Sequence, residues 1–291
     1  MAPWTAADMP DQSGRTVVVT GANSGLGLAT ARMFAAAGAR VVLACRDVAR
    51  GEAVAPPGAE VSRLDLADLG SVRAFAASAP DEIDVLVNNA GVMAVPHRRT
   101  ADGFELQFGT NHLGHFALTG LLLDRVRDRV VSLSSGMHRI GRIVLDDLNW
   151  ERRRYRRWPA YGQSKLANLL FTFELSRRLA AVGSAVRAYA AHPGYARTNL
   201  MSHTESFLDY VMAFGGFAAQ TAEMGALPTL YAATVPDLPG GSYVGPDGFL
   251  EQRGHPKLVG STSAARDPEV AQALWEHSER LTGVAFDLAP V

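Results

Sequence analysis

The sequence contains a single cysteine, Cys45, in 291 residues. One thiol cannot form an intrachain disulfide, so the disulfide frameworks of small secreted domains are excluded and a reducing compartment is favoured. Lysine and arginine total 28 against 29 acidic residues, which leaves no excess positive charge to attract nucleic acid or an anionic membrane. The first fifteen residues carry acidic side chains and no apolar segment, unlike a signal peptide.

Long hydrophobic runs are also missing. The longest, GHFALTGLLL at 114–123, is far below the roughly 20 residues that a membrane-spanning helix needs. We therefore expect no membrane span and a cytoplasmic location. No linker composition, repeat or low-complexity tract interrupts the chain, so we expect residues 1–291 to form a single domain.

What the chain does contain is a regular alternation of apolar runs and helix-length segments. Six runs read as strands, at 15–20, 39–45, 59–66, 83–89, 128–134 and 185–193, and the intervening helices are expected at 26–38, 69–79, 103–126 and 161–183. The runs are apolar almost throughout, which is typical of strands covered on both faces. The Pro/Gly-rich segment 46–58 leaves room only for a shortened crossover. The pattern predicts an α/β fold with a doubly wound, parallel, Rossmann-type sheet flanked by helices.

After residue 194 the pattern loosens. Residues 221–234 look helical, but the apolar, aromatic segment at about 199–225 is only weakly periodic. It can form a lid over a hydrophobic substrate, or it can simply pack a small C-terminal lobe. With this elaboration attached, we place the core of the domain at 14–200.

A glycine-rich segment, TGANSGLG, joins the first strand to the first helix and contains Gly21, Gly25 and Gly27. A tight turn that opens a helix presents free backbone N–H groups and the positive end of the helix dipole, which suits a pyrophosphate. Side chains at these positions would hold the backbone away from the phosphates. The alternative is a tight strand–helix turn that binds nothing.

The end of the second strand, LACRD, bears on the choice of nucleotide. Cys45 stands where an acid would accept hydrogen bonds from an adenosine ribose, and Arg46 follows, with Arg50 nearby. Arginine forms charge-assisted contacts with phosphate, so this feature favours NADP(H) over NAD(H). The alternative is that Arg46 is a solvated residue paired with Asp47. Asp65, after the third strand, is placed to accept a hydrogen bond from an adenine amino group.

The segment AYGQSKLANLL places Tyr161 and Lys165 on one face of a helix, at i and i+4. A nearby ammonium favours the phenolate and so lowers the pKa of tyrosine, which suits proton transfer to or from an oxygen. Ser134 and Ser135, after the fifth strand, can polarise the same oxygen. A packed phenol beside a snorkelling lysine, and a serine turn, are the structural alternatives. The catalytic interpretation is favoured because the glycine turn, the serines and the helix all map to one sheet edge.

Four motifs in this order, TGxxxGxG, NNAG at 88–91, serine and YxxxK, resemble the short-chain dehydrogenase/reductase superfamily over roughly residues 14–200. TNHLGHFALT, SKLANLLF and HPGYARTNL further resemble its retinol dehydrogenase and protochlorophyllide reductase-like branch. The resemblance implies an NADP(H)-dependent oxidoreductase that acts on a small-molecule carbonyl or alcohol. A catalytically idle NADP(H)-binding regulator on the same fold, or an NAD-specific dehydrogenase, are the alternatives.

The resemblance also implies residue roles. Tyr161 would be the general acid/base, Lys165 would bind the nicotinamide ribose and lower the pKa of Tyr161, Ser135 would polarise the substrate oxygen, and Asn111 would hold a relay water. The cofactor would be contacted by Gly21, Asn23, Ser24, Gly25, Leu26, Gly27, Arg46, Asp65, Leu66, Asn88, Ala90, Gly91, Tyr161, Lys165, Pro193, Gly194 and Thr198.

Four further features bear on the site and on assembly. Ser135 and Tyr161 stand 26 positions apart, about twice the spacing commonest in the superfamily, and a misplaced Ser135 would weaken catalysis. The arginine run at 152–157 fits either a solvated loop or an anion site. His112 and His115 have no third ligand at a recognisable spacing, so we expect no metal. The helix at 161–183 is often a dimer interface in the superfamily, which makes a homo-oligomer possible.

Overall fold

The computed structural model describes residues 3–195 and 220–288. Within them one sheet has eight strands in the order β3-β2-β1-β4-β5-β6-β7-β8. The strands are β1 (Thr16–Thr20), β2 (Arg40–Cys45), β3 (Glu60–Arg63), β4 (Ile83–Asn88), β5 (Val126–Leu133), β6 (Arg187–Ala191), β7 (Tyr243–Pro246) and β8 (Pro256–Leu258). Neighbouring strands are parallel, except that β7 pairs antiparallel with β8.

Helices cover both faces of this sheet. They are α1 (Gly25–Ala36), α2 (Val48–Glu52), α3 (Leu69–Ser78), α4 (Leu106–Phe108), α5 (Gly114–Leu122), α6 (Arg157–Ala181), α7 (Ala222–Thr234) and α8 (Pro268–Thr282), with a π-helical turn, Gly109–Leu113, between α4 and α5. None of these helices has the length and apolar composition that crossing a bilayer requires.

Alternating side chains of the strands supply the two cores, because successive residues of a strand point to opposite faces. Val17 and Val19 pack with α1 and α7 on one face. Val18 packs on the other face with residues of α3, α5, α6 and α8. Strands buried in this way on both sides explain the continuous apolar runs of the sequence.

The chain changes direction across the sheet at β1, which lies between β2 and β4. In open sheets of this kind ligands bind outside the carboxyl ends of the strands at such a switch point. The turns that follow β1, β2, β4 and β5 all leave the sheet on this edge, so the glycine turn and the serine turn lie on the same side of the molecule.

The predicted sheet is confirmed, and all six predicted strands and the shortened crossover, α2, are present. The helix predicted at 103–126 was wrong in extent: it begins at Leu106, contains the π-helical turn and is followed by β5 from Val126. Strands β7 and β8 were not predicted, and they make the C-terminal part an extension of the same sheet. Residues 199–219 of the predicted lid lie outside the described residues.

Candidate active site

The glycine turn packs tightly against the chain that follows β4. A Cβ atom on Gly27 would lie 2.4 Å from Asn89 Nδ2 and 2.5 Å from the Gly21 carbonyl oxygen. Gly21 has φ +66° and no room for a Cβ beside Ala90. Ser24 is the N-cap of α1 without a capping hydrogen bond from its side chain, and the first turn holds no acid. These features fit a phosphate group at the helix N-terminus.

A groove runs from this turn along the carboxyl edge of the sheet. Of the predicted cofactor-binding residues, it is lined by Gly21, Asn23, Ser24, Gly25, Leu26, Gly27, Arg46, Asp65, Leu66, Ala90 and Gly91. It is also lined by Ala44, Cys45, Asp47, Arg50, Leu64, Asn89, Val92 and Thr110. The structure thus brings eleven of the predicted cofactor-binding residues together in one groove, beside the glycine turn.

Asn88 is not among the groove residues. Its side chain is buried, and Nδ2 donates hydrogen bonds to Thr119 Oγ1 at 2.9 Å and to Ser132 Oγ at 3.4 Å. The next residue, Asn89, lines the groove and donates from Nδ2 to the Thr20 carbonyl at 2.7 Å. The alternation of side chains at the end of β4 accounts for the difference, because Asn88 points into the core. Sequence analysis missed Asn89, although it stands in the same NNAG motif.

Pro193 and Gly194 begin the connection after β6. The Pro193 carbonyl accepts a hydrogen bond from Gln220 Nε2 at 2.6 Å. Gly194 has φ +64°, and a Cβ there would lie 2.4 Å from the Gln252 carbonyl oxygen. The backbone conformation and this close contact are enough to require glycine, without a contact to a cofactor. Thr198, predicted to lie near the nicotinamide carboxamide, is outside the described residues.

Ser135 and Tyr161 meet despite the long insert between them. The Ser135 side chain lies close enough to the Tyr161 phenol to lower its pKa, and Ser135 Oγ accepts from the Met137 backbone N–H at 3.2 Å. The turn after Ser135 approaches α6 through two glycines: a Cβ on Gly141 would lie 2.3 Å from the Gly162 carbonyl oxygen. This backbone contact fixes the serine turn against the first part of α6, so the insert does not displace Ser135.

Ser134 has a different role from its neighbour. It is buried, and its hydroxyl donates to the backbone carbonyl of Lys165 at 2.8 Å. The hydroxyl is therefore committed to joining β5 to α6. Ser135, facing the phenol, is the serine that can reach a substrate.

Tyr161 and Lys165 are both buried, with 6% and 4% of their surface exposed. The lysine does not snorkel: Nζ donates to the Leu133 carbonyl at 3.0 Å, an acceptor shared with Asn168. Burial raises the pKa of Tyr161 to about 12, although the neighbouring Ser135 hydroxyl acts to lower it. Burial also lowers the pKa of Lys165 to about 8. The expected lowering of the phenol pKa by the ammonium is not found in the protein alone, because burial dominates.

Asn111 lies in the π-helical turn, a local widening of the helix that is frequent at functional sites. Its side chain accepts from the Val92 N–H at 2.7 Å and donates to the Val92 carbonyl and to Ser164 Oγ, both at 2.9 Å. A Cβ on Gly91 would lie 3.0 Å from Asn111 Oδ1 and 3.6 Å from Lys165 Nζ. Asn111 and Lys165 therefore both border Gly91, beside the groove.

Two polar side chains that sequence analysis missed hold the chain after β4. Gln107 accepts from the Ala94 N–H at 2.7 Å, and the Tyr155 hydroxyl donates to the Val95 carbonyl at 3.0 Å. Met93 and Ala94 in this segment pack against Tyr161. Gln107 and Tyr155 fix one wall of the catalytic site, and no local motif marks partners so far apart in sequence.

The arginine run is partly paired. Arg152 contacts Asp146 at 3.1 Å, and Arg153 contacts Asp147 at 3.3 Å while lying over the Trp150 ring. These two arginines thus stabilise the folded insert through contacts within it.

The histidine pair serves separate hydrogen bonds. His112 Nε2 lies 2.9 Å from Ser278 Oγ, and His115 Nε2 lies 2.9 Å from Thr20 Oγ1. Both imidazoles are buried, and burial lowers their pKa, to about 3 for His112 and about 4 for His115. The residues that the structure describes contain no group of three or more His, Cys, Asp or Glu side chains placed to hold a metal ion.

Comparison with known proteins finds relatives over most of the chain. The short chain dehydrogenase family model matches residues 15–208. Retinol dehydrogenase 13 of Homo sapiens is 44% identical over 293 residues, which cover 93% of this chain and 85% of that protein. Solved structures similar to the chain include an uncharacterized protein from Mycobacterium paratuberculosis, with TM-score 0.86, 54% identity and coverage of 98% of this chain and 100% of that one.

A second solved structure carries a nucleotide. This structure, from Beutenbergia cavernae, is described as an NAD(P)-dependent gluconate 5-dehydrogenase with NADP bound at low occupancy. It superposes with TM-score 0.58 and 26% identity, and the match covers 77% of this chain and 92% of that protein. The resemblance seen in the motifs is confirmed by the family match and by the relatives that share it. The chain belongs to the short-chain dehydrogenase family, in the branch that contains the retinol dehydrogenases.

Proposed function

We propose that the chain is an NADP(H)-dependent oxidoreductase that interconverts a hydrophobic alcohol and its carbonyl compound, with Ser135, Tyr161, Lys165 and Asn111 as its catalytic set. The observation that carries the proposal is the buried Tyr161 phenol beside Ser135, with the buried Lys165 one helical turn further along α6. A nicotinamide cofactor, when bound, supplies or accepts the hydride. The remaining chemistry is the transfer of one proton at the substrate oxygen.

Each side chain has a distinct part in that transfer. Tyr161 keeps its proton at neutral pH, because burial holds its pKa at about 12, and it can donate that proton to a carbonyl oxygen that gains negative charge. Ser135 donates a hydrogen bond to the same oxygen. Lys165, with a pKa of about 8, can gain or lose a proton near neutral pH. Asn111 Oδ1 and Lys165 Nζ both lie close to Gly91, which lines the groove.

The groove supports NADP(H) over NAD(H). Arg46 and Arg50 both line it beyond the end of β2, opposite the glycine turn. Cys45 stands at the position where an acid would bind the ribose hydroxyls, and its thiol contacts the Asp47 carbonyl at 3.3 Å. The Asp47 carboxylate caps α2 by accepting from the Arg50 N–H at 3.0 Å. The acid nearest the ribose position is thus engaged, while two guanidinium groups remain to bind a 2′-phosphate.

The surroundings of Tyr161 support a hydrophobic substrate. Met93 and Ala94 are packed on the phenol, and Met137, Trp158 and Tyr195 extend this cluster as partly buried side chains. The Trp158 ring stands edge-on to Tyr161 with centroids 6.4 Å apart. Apolar side chains with a few convergent polar groups are typical of small-molecule sites. The lid and the contact of Thr198 with the cofactor belong to this proposal as predictions, as do a cytoplasmic location and the single-domain organisation.

A cofactor-binding regulator without catalysis is the competing function. Such a protein needs the groove, but it needs neither a serine beside a buried phenol nor a buried lysine, which costs stability. Keeping both groups away from water is explained by proton transfer. This observation favours the enzyme.

Tyr161→Phe tests the proposal directly. We expect kcat on any substrate found by screening NADPH oxidation to fall by about 100- to 10,000-fold, the usual contribution of a positioned acid or base. NADPH affinity, measured by fluorescence titration, should stay within about 3-fold. Tyr189→Phe is the matched control, because that buried phenol donates to the Leu238 carbonyl in the opposite core. Turnover that survives Tyr161→Phe would contradict the mechanism, and a wild-type protein that binds NADPH without any turnover would favour the regulator.

A further inference from the structure

His115 lies at the second position of α5 with 2% of its surface exposed, and each of its ring nitrogens has a partner. Nδ1 is 3.0 Å from the backbone carbonyl of Asn111, in the π-helical turn. Nε2 is 2.9 Å from the hydroxyl of Thr20, the last residue of β1. The imidazole thus connects the residue proposed for the proton path to the strand that carries the glycine turn.

The partners determine which nitrogen carries the proton. A backbone carbonyl can only accept, so the hydrogen between Asn111 and the ring must sit on Nδ1. Burial keeps the imidazole neutral, because it lowers the pKa of His115 to about 4. Nε2 therefore holds a lone pair, and the Thr20 hydroxyl donates to it.

The Thr20 hydroxyl also accepts hydrogen bonds from the wall of the groove. Its oxygen accepts from the Asn89 N–H at 2.9 Å and from the Ala90 N–H at 3.0 Å. A hydroxyl has two lone pairs and one proton. Because both lone pairs are occupied, the hydroxyl can stay in this orientation only if its proton has an acceptor, and His115 Nε2 is closer than the Val87 carbonyl at 3.3 Å.

We propose that His115 is a positioning residue: as the Nδ1–H tautomer it orients the Thr20 hydroxyl that fixes the Asn89–Ala90 turn of the groove, and it holds the carbonyl of Asn111. It touches neither the groove nor the phenol, and acts through these two partners. The inference rests on the proposed function in so far as Asn111 and the groove serve catalysis and cofactor binding.

Three substitutions separate the two bonds. In His115→Asn the amide nitrogen can occupy the place of Nδ1 and keep the bond to Asn111, while the acceptor for Thr20 is lost. In His115→Gln the longer amide can reach the place of Nε2 and keep the acceptor for Thr20, while the bond to Asn111 is lost. His115→Phe keeps a flat ring and loses both. The matched control is His277→Phe, because His277 Nδ1 likewise bonds the carbonyl four residues earlier, that of Ala273, but lies in α8.

The expected pattern is a split between binding and turnover. His115→Asn should weaken NADPH binding by about 10-fold, the typical effect of leaving one buried polar group without its partner, with kcat nearly unchanged. His115→Gln should lower kcat by a similar factor with NADPH affinity retained, and His115→Phe should do both. A purely structural histidine would instead reduce the amount of folded, active protein and leave Kd and kcat of the folded fraction at wild-type values in all three variants.

Nitrogen-15 NMR of the imidazole gives a readout that does not depend on activity. We expect Nδ1 to be protonated and Nε2 to be unprotonated at pH 7 in the wild-type protein. An Nε2–H tautomer, an imidazolium, or wild-type Kd and kcat in the folded variants would overturn the inference. If His115→Phe does not fold, the Asn and Gln variants decide. If the wild-type protein binds neither NADPH nor NADH, the proposed function fails, and the NMR result alone decides the assignment of the imidazole.

Discussion

The amino group of Lys165 lies 5.7 Å from the centre of the Tyr161 ring and gives its hydrogen bond to the Leu133 carbonyl. The two groups share a buried environment that disfavours charge on either one. Burial raises the pKa of Tyr161 to about 12 and lowers that of Lys165 to about 8. At neutral pH the protein alone thus holds a protonated phenol beside an amine that loses its proton slightly above neutrality.

Lys165 should make the stability of the fold depend on pH. Its pKa is about 8 in the folded chain against 10.5 for a free lysine. Between these values the unfolded chain binds more protons, so the unfavourable contribution of the buried ammonium is complete below pH 8 and disappears as the pH rises toward 10.5. We expect the gain in unfolding free energy from Lys165→Met to shrink by about 3 kcal/mol over this window.

Urea unfolding between pH 7 and 10 measures this difference. The chain's other lysine, the exposed Lys257 on β8, supplies the control substitution Lys257→Met. Its effect on the unfolding free energy should not follow the Lys165 curve. A difference between Lys165→Met and wild type that stays constant with pH would show that the amine is not titrated near 8.

Arg46 should control the choice between the two nucleotides. Arg46→Gln removes a guanidinium that lines the groove, and we expect NADPH affinity to fall by about 10- to 100-fold while NADH affinity changes little. Arg40→Gln is the control: Arg40 begins the same strand, and it pairs with Glu60 at 3.1 Å. Titration of both variants with both nucleotides gives the answer, and equal losses for NADPH and NADH would refute the 2′-phosphate role.

The parts of the fold that follow local rules could be predicted from the sequence. Continuous apolar runs gave the six parallel strands, and the i, i+4 spacing placed Tyr161 and Lys165 on one face of α6. The glycine turn carries its own signal, because few other residues fit a positive φ beside a close backbone neighbour. These features depend on residues near one another in the chain.

The features of the fold and the site that sequence analysis did not predict depend on contacts between segments far apart in the chain. Strand β7 ends at a proline and β8 has only three residues, so neither shows a strand period. The π-helical turn around Asn111 and the bonds that Gln107 and Tyr155 make to the chain after β4 have no local pattern. The i, i+4 spacing also led us to expect that Lys165 lowers the pKa of Tyr161. Burial raises that pKa instead, and burial depends on the whole fold and not on the local sequence.

Gly27 should tolerate no side chain. The Cβ of Gly27→Ala would lie 2.4 Å from Asn89 Nδ2 and 2.5 Å from the Gly21 carbonyl, so the turn or the groove wall must move. We expect NADPH binding to weaken by more than about 10-fold, together with a loss of stability of about 1–3 kcal/mol from overpacking. Gly260→Ala is the control, because a Cβ there meets no atom within 4 Å. Unchanged nucleotide binding in Gly27→Ala would separate the glycine turn from the cofactor.

The C-terminal helix α8 should stabilise the face of α5 and α6 that it covers. Trp275 of α8 is 2% exposed. Its ring stacks on that of Phe171 with centroids 5.7 Å apart, and its centroid lies 4.4 Å from that of Phe286. The Arg178 guanidinium lies 4.4 Å from its ring centre. Trp275→Ala should therefore lower the unfolding free energy by about 3–5 kcal/mol.

The same packing bears on the homo-oligomer considered from the sequence, because α8 packs on α6, the helix considered there as a dimer interface. We expect the wild-type chain to run as a monomer in light scattering, and Trp275→Ala to associate with itself as the apolar face is uncovered. Trp4→Ala, which removes an edge contact with Tyr231 in the opposite core, is the control and should lose less stability without associating. A wild-type dimer whose formation is unaffected by Trp275→Ala would place the interface elsewhere, because α8 would then take no part in association.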